Sequence, residues 1–312
     1  MKRRQVLAMA AAAGALAAVP ARAQSPHMVF GYTAVTDFAS VFIAAEEGFF
    51  KKRGLDVELK FIPLNSTIPA AVQADSLQIG GPKPSVFLQA VDGGLDHVVL
   101  AGGGMTSKAL TGFGLVARAG SGIKTAQDCV GKKIGVPGLG AFLHVTFRGW
   151  LKSQGVDYRK VNFVEASFPQ HGDLLRGGTV DAVVSADPFM SRITDSGMGY
   201  VASYYSTFLP DGQPTIVYTA RRDWVQKNAA SARAFQQAVQ EAAAFMARPA
   251  NDGKVRAAIG KYIKLPPEVV AKAQISPPAP IISEKQLTYW VNLMKDQEML
   301  KGSPEPAKLL FK

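Results

Sequence analysis

The feature that most constrains this chain is an internal repeat. Phe50-Lys-Lys-Arg-Gly-Leu-Asp-Val57 matches Leu151-Lys-Ser-Gln-Gly-Val-Asp-Tyr158 in pattern. In each block a helix ends, a glycine follows past the cap, and the chain enters a strand. Upstream, Val29 to Thr33 and Lys133 to Pro137 both read as short buried strands feeding a helix. Downstream, Ala70 to Ser85 parallels Asp173 to Phe189. Both hold a short helix, a turn (Asp75-Ser76 or Gly177-Gly178), a strand, and then Pro84 or Pro188. A shared α/β alphabet accounts for part of the match, but three blocks in the same order point to a duplicated unit.

Each half therefore reads as strand, helix, strand, helix, strand, the alternation that builds a mainly parallel sheet flanked by helices. The predicted fold is α/β, with two similar lobes and a ligand cleft between them, because open α/β sheets bind ligands outside their strand C-termini. Leu110 to Ala117 and Thr215 to Ala220 are apolar and strand-like, and read as the crossovers. Lobe one is then 24–117 with 215–312, and lobe two is 118–214. A length of 312 residues suits two domains, and 47% hydrophobic with 19% charged residues predicts a globular chain. Ser231 to Ala247 and Glu284 to Leu300 have helical spacing on either side of the Pro-rich Ser276 to Pro280, and are expected to pack back on lobe one.

The chain begins with basic Lys2-Arg3-Arg4, an Ala/Leu-rich run from Val6 to Val19, and Ala21-Arg22-Ala23. These are the parts of a cleavable secretory signal over 1–23, with Gln24 as first mature residue. Arg3-Arg4 fits a twin-arginine signal as well as an ordinary one. The run is too short for a membrane anchor. Removing its four cations lowers the formal charge from +11 to +7, moderately basic and favourable to anionic partners. Lysines and arginines are scattered among acids rather than striped with aromatics, which argues against nucleic acid. The single Cys129 allows no intrachain disulfide, and no cysteine stands at the cleavage site to take a lipid.

The blocks Phe38 to Asp56, Asp128-Cys-Val-Gly-Lys-Lys-Ile-Gly-Val136 and Leu175-Arg-Gly-Gly-Thr-Val-Asp-Ala182, running into Asp187-Pro-Phe189, carry a resemblance. The chain resembles the periplasmic solute-binding proteins of ABC importers, in the sulfonate/taurine/nitrate-binding group that also includes thiamine-pyrimidine-precursor proteins. The resemblance implies a type II-like periplasmic-binding-protein fold, a small-molecule ligand, a membrane permease as partner, a periplasmic location and no cofactor; a monomer is expected. Two positions depart from it. Cys129 stands where an apolar residue is usual, and Lys83 where a small one is expected.

The repeat also selects site residues. Lys83 and Asp187 each precede the matched proline, so both should reach the cleft from opposite lobes, with Ser85 just beyond Lys83. Lys83 would bind an anionic head, while Asp187 would hold a positive group or pair with Lys83; the alternative is two solvated surface charges. Gly138-Leu-Gly-Ala141-Phe142 follows a strand and opens a helix, with Gly138, Gly140 and Ala141 exposing backbone N–H groups to an anion. As a dinucleotide fingerprint it fails, because Leu143 occupies the third glycine position. The equivalent first-half segment is Thr36-Asp37-Phe38, where Asp37 reads as an N-cap or a ligand contact. Phe38 and Phe142 are wall or core aromatics. His144 is a ligand-facing or a structural histidine, and Gln170 is a further candidate.

Enzyme signatures are missing. Gly120-Ser-Gly-Ile-Lys-Thr125 lacks phosphate-loop spacing, and no nucleophile elbow, H-E-x-x-H pair or zinc spacing occurs. His27, His97, His144 and His171 are dispersed and suggest no metal site. The same fold hosts pyrimidine-precursor synthases with a cysteine-rich site and dehydratases. A single cysteine argues against the first, and an export signal against both, so the sequence predicts a binding protein rather than an enzyme, with the ligand a sulfonate, a taurine-like zwitterion or a carboxylate.

Overall fold

A computed structural model describes residues 27–312, so the signal read at 1–23 and Gln24 lie outside the described residues. The first half runs β1 (His27–Tyr32), α1 (Ala39–Glu46), α2 (Phe49–Lys52), β2 (Asp56–Phe61), α3 (Ile68–Gln73), β3 (Ile79–Gly80), α4 (Pro84–Asp92) and β4 (His97–Gly102). The second runs β5 (Phe113–Arg118), β6 (Lys133–Val136), α5 (Phe142–Ser153), β7 (Asn162–Glu165), α6 (His171–Arg176), β8 (Ala182–Ala186), α7 (Phe189–Asp195) and β9 (Gly199–Ser203). Then follow β10 (Val217–Arg221), α8 (Arg222–Lys227), α9 (Ala229–Met246), α10 (Asp252–Ile263), α11 (Pro267–Lys272) and α12 (Glu284–Lys295).

The strands form two five-stranded sheets, ordered β2-β1-β3-β10-β4 and β7-β6-β8-β5-β9. Substituting β6, β7 and β8 for β1, β2 and β3, β5 for β10 and β9 for β4 turns one order into the other. In each sheet the first three strands are parallel and the crossover strand is antiparallel. The duplication extends to the turns. Gly54 and Gly155 sit at φ +70° and +73°, and beyond them Leu55 N–H donates to Phe50 O (3.0 Å) and Val156 N–H to Leu151 O (2.9 Å). Asp75 and Gly178 take the same left-handed conformation after α3 and α6, closed by Ser76 N–H to Ala71 O and Thr179 N–H to Leu174 O, both 3.0 Å.

The structure moves one predicted boundary. Residues 113–117, read as the end of lobe one, belong to β5, which pairs with β8 and β9 in the second sheet. The chain has therefore changed sheets before Phe113. Apolar alternation marks β5 as a strand, but its partner is chosen by tertiary pairing that local pattern does not encode.

The C-terminal helices divide their packing. α9 and α10 bury Phe235, Val239 and Ile259 with Phe30, Phe42 and Tyr218 of the first unit, as expected. α12 does more than pack on that unit. Its buried stripe Leu287, Trp290, Val291 and Met294 lies in one apolar cluster with Phe87 and Leu88 of α4 and Phe142 and Phe147 of α5. Ion pairs Lys152–Asp296 (2.6 Å) and Arg159–Glu298 (2.8 Å) fasten its end to the second unit. A fully buried tryptophan contributes roughly 3–5 kcal/mol against alanine, so Trp290 is a main tie between the units. Cys129 is fully buried in this cluster as a small apolar side chain, and burial pushes its thiol up to about 12.

Candidate functional site

Residues from both units meet around a cavity of about 660 Å³, its open mouth included. The first unit contributes Val35, Thr36, Asp37 and Lys83, and the second Phe113, Phe142, Leu143, Phe168, Ala186, Asp187 and Ser206. Met105, Thr106, Ser107, Leu110, Gly112 and Thr215, on the segments joining the sheets, and Gln274 and Ser276 complete it. A second compartment of about 540 Å³, its open mouth likewise included, adjoins it and is more apolar. Thr33, Ala34, Phe61, Pro63 and Asn65 line it from one side, and Pro137, Ala141, Ser167 and Pro169 from the other. Lys83, Phe142, Leu143 and Phe168 line both.

Lys83 is set at this seam by its neighbours in sequence. Its backbone is extended (φ −64°, ψ 148°), as a residue before proline prefers, and Pro84 opens α4. Asn65 Oδ1 accepts the Lys83 N–H at 2.7 Å while Asn65 Nδ2 donates to Gly81 O at 3.0 Å, pinning the approach to the helix. The side chain is 9% exposed, and its Nζ stands 5.3 Å from the centre of the Phe142 ring. Among the described residues no carboxylate lies within ion-pair distance of it. Burial pushes the ammonium below the usual lysine range, and the Asp37 charge opposes that only in part.

Asp37 and Asp187 enter the same cavity differently. Asp37 caps no helix, contrary to the N-cap reading: Thr215 Oγ1 donates to its Oδ1, and Ser276 Oγ reaches the same oxygen at 3.4 Å. The helix start it precedes has its polar partners in the crossover and the C-terminal region, which sequence proximity could not show. Asp187 Oδ1 accepts from Ser191 N–H (3.2 Å) and Ser191 Oγ (2.6 Å) across the first turn of α7. Burial raises its carboxyl above the usual range, and the Ser191 bonds partly offset this. Lys83 and Asp187 thus share the cavity without forming an ion pair.

α5 presents its first turn to the seam. Ala141 precedes it in extended conformation with no side-chain cap. Within the glycine loop, Gly140 N–H donates to His144 Nδ1 (2.8 Å), Leu139 N–H to Glu165 (3.0 Å) and Ala141 N–H to Gly138 O (3.1 Å). The N–H groups of Phe142, Leu143 and His144 have no acceptor among the described residues, as first-turn groups lack one within the helix.

Of the sequence-selected residues, Thr36, Asp37, Lys83, Ala141, Phe142 and Asp187 line one or both compartments. The others do not. Phe38 is a fully buried core aromatic, stacked on Tyr218 at 6.1 Å. Ser85 is fully buried, its Oγ without a partner. Gly138 and Gly140 shape the loop behind the wall, and Gly140 has φ +76°. His144 is buried against Phe163, 4.5 Å between ring centres, and burial lowers its pKa to about 3. Gln170 is spent on Ser167, accepting its N–H at 2.9 Å. Sequence reasoning missed the hydroxyl-bearing Thr106, Ser107, Ser206, Thr215 and Ser276 of the main cavity, and the aromatic pair Phe61 and Phe168 of the second compartment. The signal for the pair was present: both stand where a second strand of the duplicated unit hands over to its helix.

Among the described residues, no three His, Cys, Asp or Glu side chains converge as a metal site, and no helix is long and apolar enough to cross a membrane.

A protein-family model described as NMT1/THI5 like matches residues 35–251. Over 251 residues the chain is 28% identical to the nitrate/nitrite binding protein NrtA of Synechococcus elongatus, covering 72% of this chain and 56% of that protein. A putative binding protein of Brucella abortus is 27% identical over 267 residues, covering 85% and 80%. The chain spans little more than half the length of the first two curated relatives, 56% and 58%. Among solved structures, the alkanesulfonate-binding protein SsuA of Xanthomonas axonopodis pv. citri bound to MOPS is similar, with TM-score 0.77 and 17% identity over 92% of this chain and 99% of that one. The fold is that of the two-lobed periplasmic binding proteins, and the chain belongs to the NMT1/THI5-like family.

Proposed function

We propose that this chain is the solute-capturing component of an ABC importer, exported to the periplasm and working as a monomer. It closes two lobes around a small organic anion and presents the closed form to a membrane permease. The observation that carries the reading is the buried, unpaired Lys83 of one unit facing the open first turn of α5 in the other. A buried ammonium with no carboxylate in ion-pair contact is costly, and an anion bridging it to the helix N-terminus would relieve that cost in the closed arrangement alone. Such differential affinity is what can shift a two-lobe equilibrium toward closure. The segments 103–112 and 210–216, between the sheets, are the bending points, and the lobes they join are 27–102 with 217–312 and 113–209.

The relatives support a binding role, as NrtA is named for nitrate and nitrite and the SsuA neighbour for alkanesulfonates. Turnover is the weaker reading: His97, His144, His171 and Cys129 are buried and none lines the cavity, leaving no imidazole or thiol beside a bound solute. A thermal-shift screen of sulfonates, aromatic carboxylates, nitrate and pyrimidines tests the proposal. Stabilisation by one class, with the solute recovered unchanged, is expected. No stabilisation by any of them would sink it, and a chemically altered solute would favour an enzyme.

A further inference from the structure

The second compartment bears on what kind of anion the cleft takes. Four residues line it together with the main cavity, and Lys83 is one of them. On the main-cavity side an anion would face Asp37 and Asp187 as well as Lys83. On the other side Lys83 is the only charged lining residue, and the first turn of α5 forms part of the wall. The walls there are flat. Phe61 ends β2 and Pro63 follows it toward α3, while Phe168 and Pro169 lie on the equivalent connection between β7 and α6, so the duplication sets two similar jaws opposite each other. Phe168 is backed by Phe189, stacked at 5.6 Å and 11°. Phe61 lies tilted against Tyr32, 6.0 Å between ring centres and 57° between planes, yet stays 48% exposed, among the most exposed large apolar side chains described. An aromatic left half in water at the mouth of an apolar slot has a face free to cover a ligand.

We infer that Phe61 and Phe168 clamp a flat, ring-sized apolar group whose attached anionic group lies between Lys83 Nζ and the free N–H groups of α5. The inference rests on the proposed binding role and narrows its ligand to ring-bearing carboxylates or sulfonates, as against inorganic anions or short zwitterions. Lys83 sets the charge of the ligand. Phe61 and Phe168 set its shape. A small inorganic anion at the same lysine would leave the slot between the jaws to water.

The test is calorimetric titration of the purified chain, freed of co-purified solute, with benzoate, benzenesulfonate, taurine and nitrate. The two ring-bearing anions should bind at least tenfold more tightly than taurine or nitrate. Phe61→Ala, at an exposed position where folding is little at risk, should weaken benzoate and benzenesulfonate about five- to tenfold. Lys83→Met should weaken them more than tenfold. If taurine or nitrate binds more tightly than either ring compound, or if Phe61→Ala leaves ring-compound affinity unchanged, the clamp is overturned while the binding role stands. If a broad solute screen including all four finds no binding, the binding role itself fails.

Discussion

Replacing Lys83 with methionine should make the empty protein more stable and the ligand-binding protein worse. Methionine is unbranched and one atom shorter, so it keeps most of the side chain's reach while removing its charge. Lys83 is 9% exposed as a residue, and its ammonium has no carboxylate partner within ion-pair distance and is held below its ordinary pKa by burial. Exchanging buried ionic groups for apolar ones of similar volume is commonly neutral to stabilising by about 1–4 kcal/mol. Asp37 attracts the charge and makes the lower half of that range the expectation. At roughly 2 °C per kcal/mol for a chain of this length, the ligand-free variant should melt about 2–4 °C above wild type in calorimetry at pH 7. The pH dependence fixes the cause. Because the folded-state pKa lies below the ordinary 10.5, between the two values the unfolded chain holds more protons, so wild-type stability rises with pH there. The variant's advantage should therefore be full below the folded-state pKa and shrink as pH climbs from there toward 10.5. Loss of a charge-assisted hydrogen bond to the anion should at the same time cost about 10- to 100-fold in affinity. A variant that melts lower than wild type at pH 7, by an amount independent of pH, would refute the reasoning: Lys83 would then be a structural cation.

Three further outcomes follow from packing and burial. A Cβ on Gly81 would lie 2.2 Å from Phe38 Cε1, so Gly81→Ala must displace a core ring beneath the site and should cost about 1–3 kcal/mol by denaturant melt, with weaker ligand binding. Cys129, its thiol pushed up to about 12, should resist a thiol reagent at pH 8 until the chain is unfolded; prompt labelling of native protein would contradict its burial. Burial lowers His97 and His171 to about 4 from 6.5, so each contributes stability that is full above pH 6.5 and is lost as pH falls toward 4. That is about 3 kcal/mol each, and the melting temperature should drop across this window, less steeply in a His97→Gln variant.

Much of the fold was legible because the chain is duplicated. Matching glycines at 54 and 155 and prolines at 84 and 188 reported the same strand–helix unit twice, and the two sheet orders repeat it strand for strand. The repeat also brought Lys83 and Asp187 to one cavity. What local pattern could not supply were choices made by tertiary packing. β5 pairs forward into the second sheet, α12 fits a groove made by both units, and Asp37 finds its donors on Thr215 and Ser276, far along the chain. The misplaced candidates are held by local bonds. His144 Nδ1 and Gln170 Oε1 accept from Gly140 and Ser167, within four residues of themselves, and neither side chain lines a compartment.

Capture of an anion by closure of two lobes changes the overall dimensions of the molecule. Small-angle X-ray scattering of the purified chain, freed of solute and then saturated with a ligand confirmed by calorimetry, measures that change directly. Wild type should show a smaller radius of gyration with ligand, and Lys83→Met little change at the same ligand concentration. Identical scattering from empty and saturated wild type would contradict capture by closure.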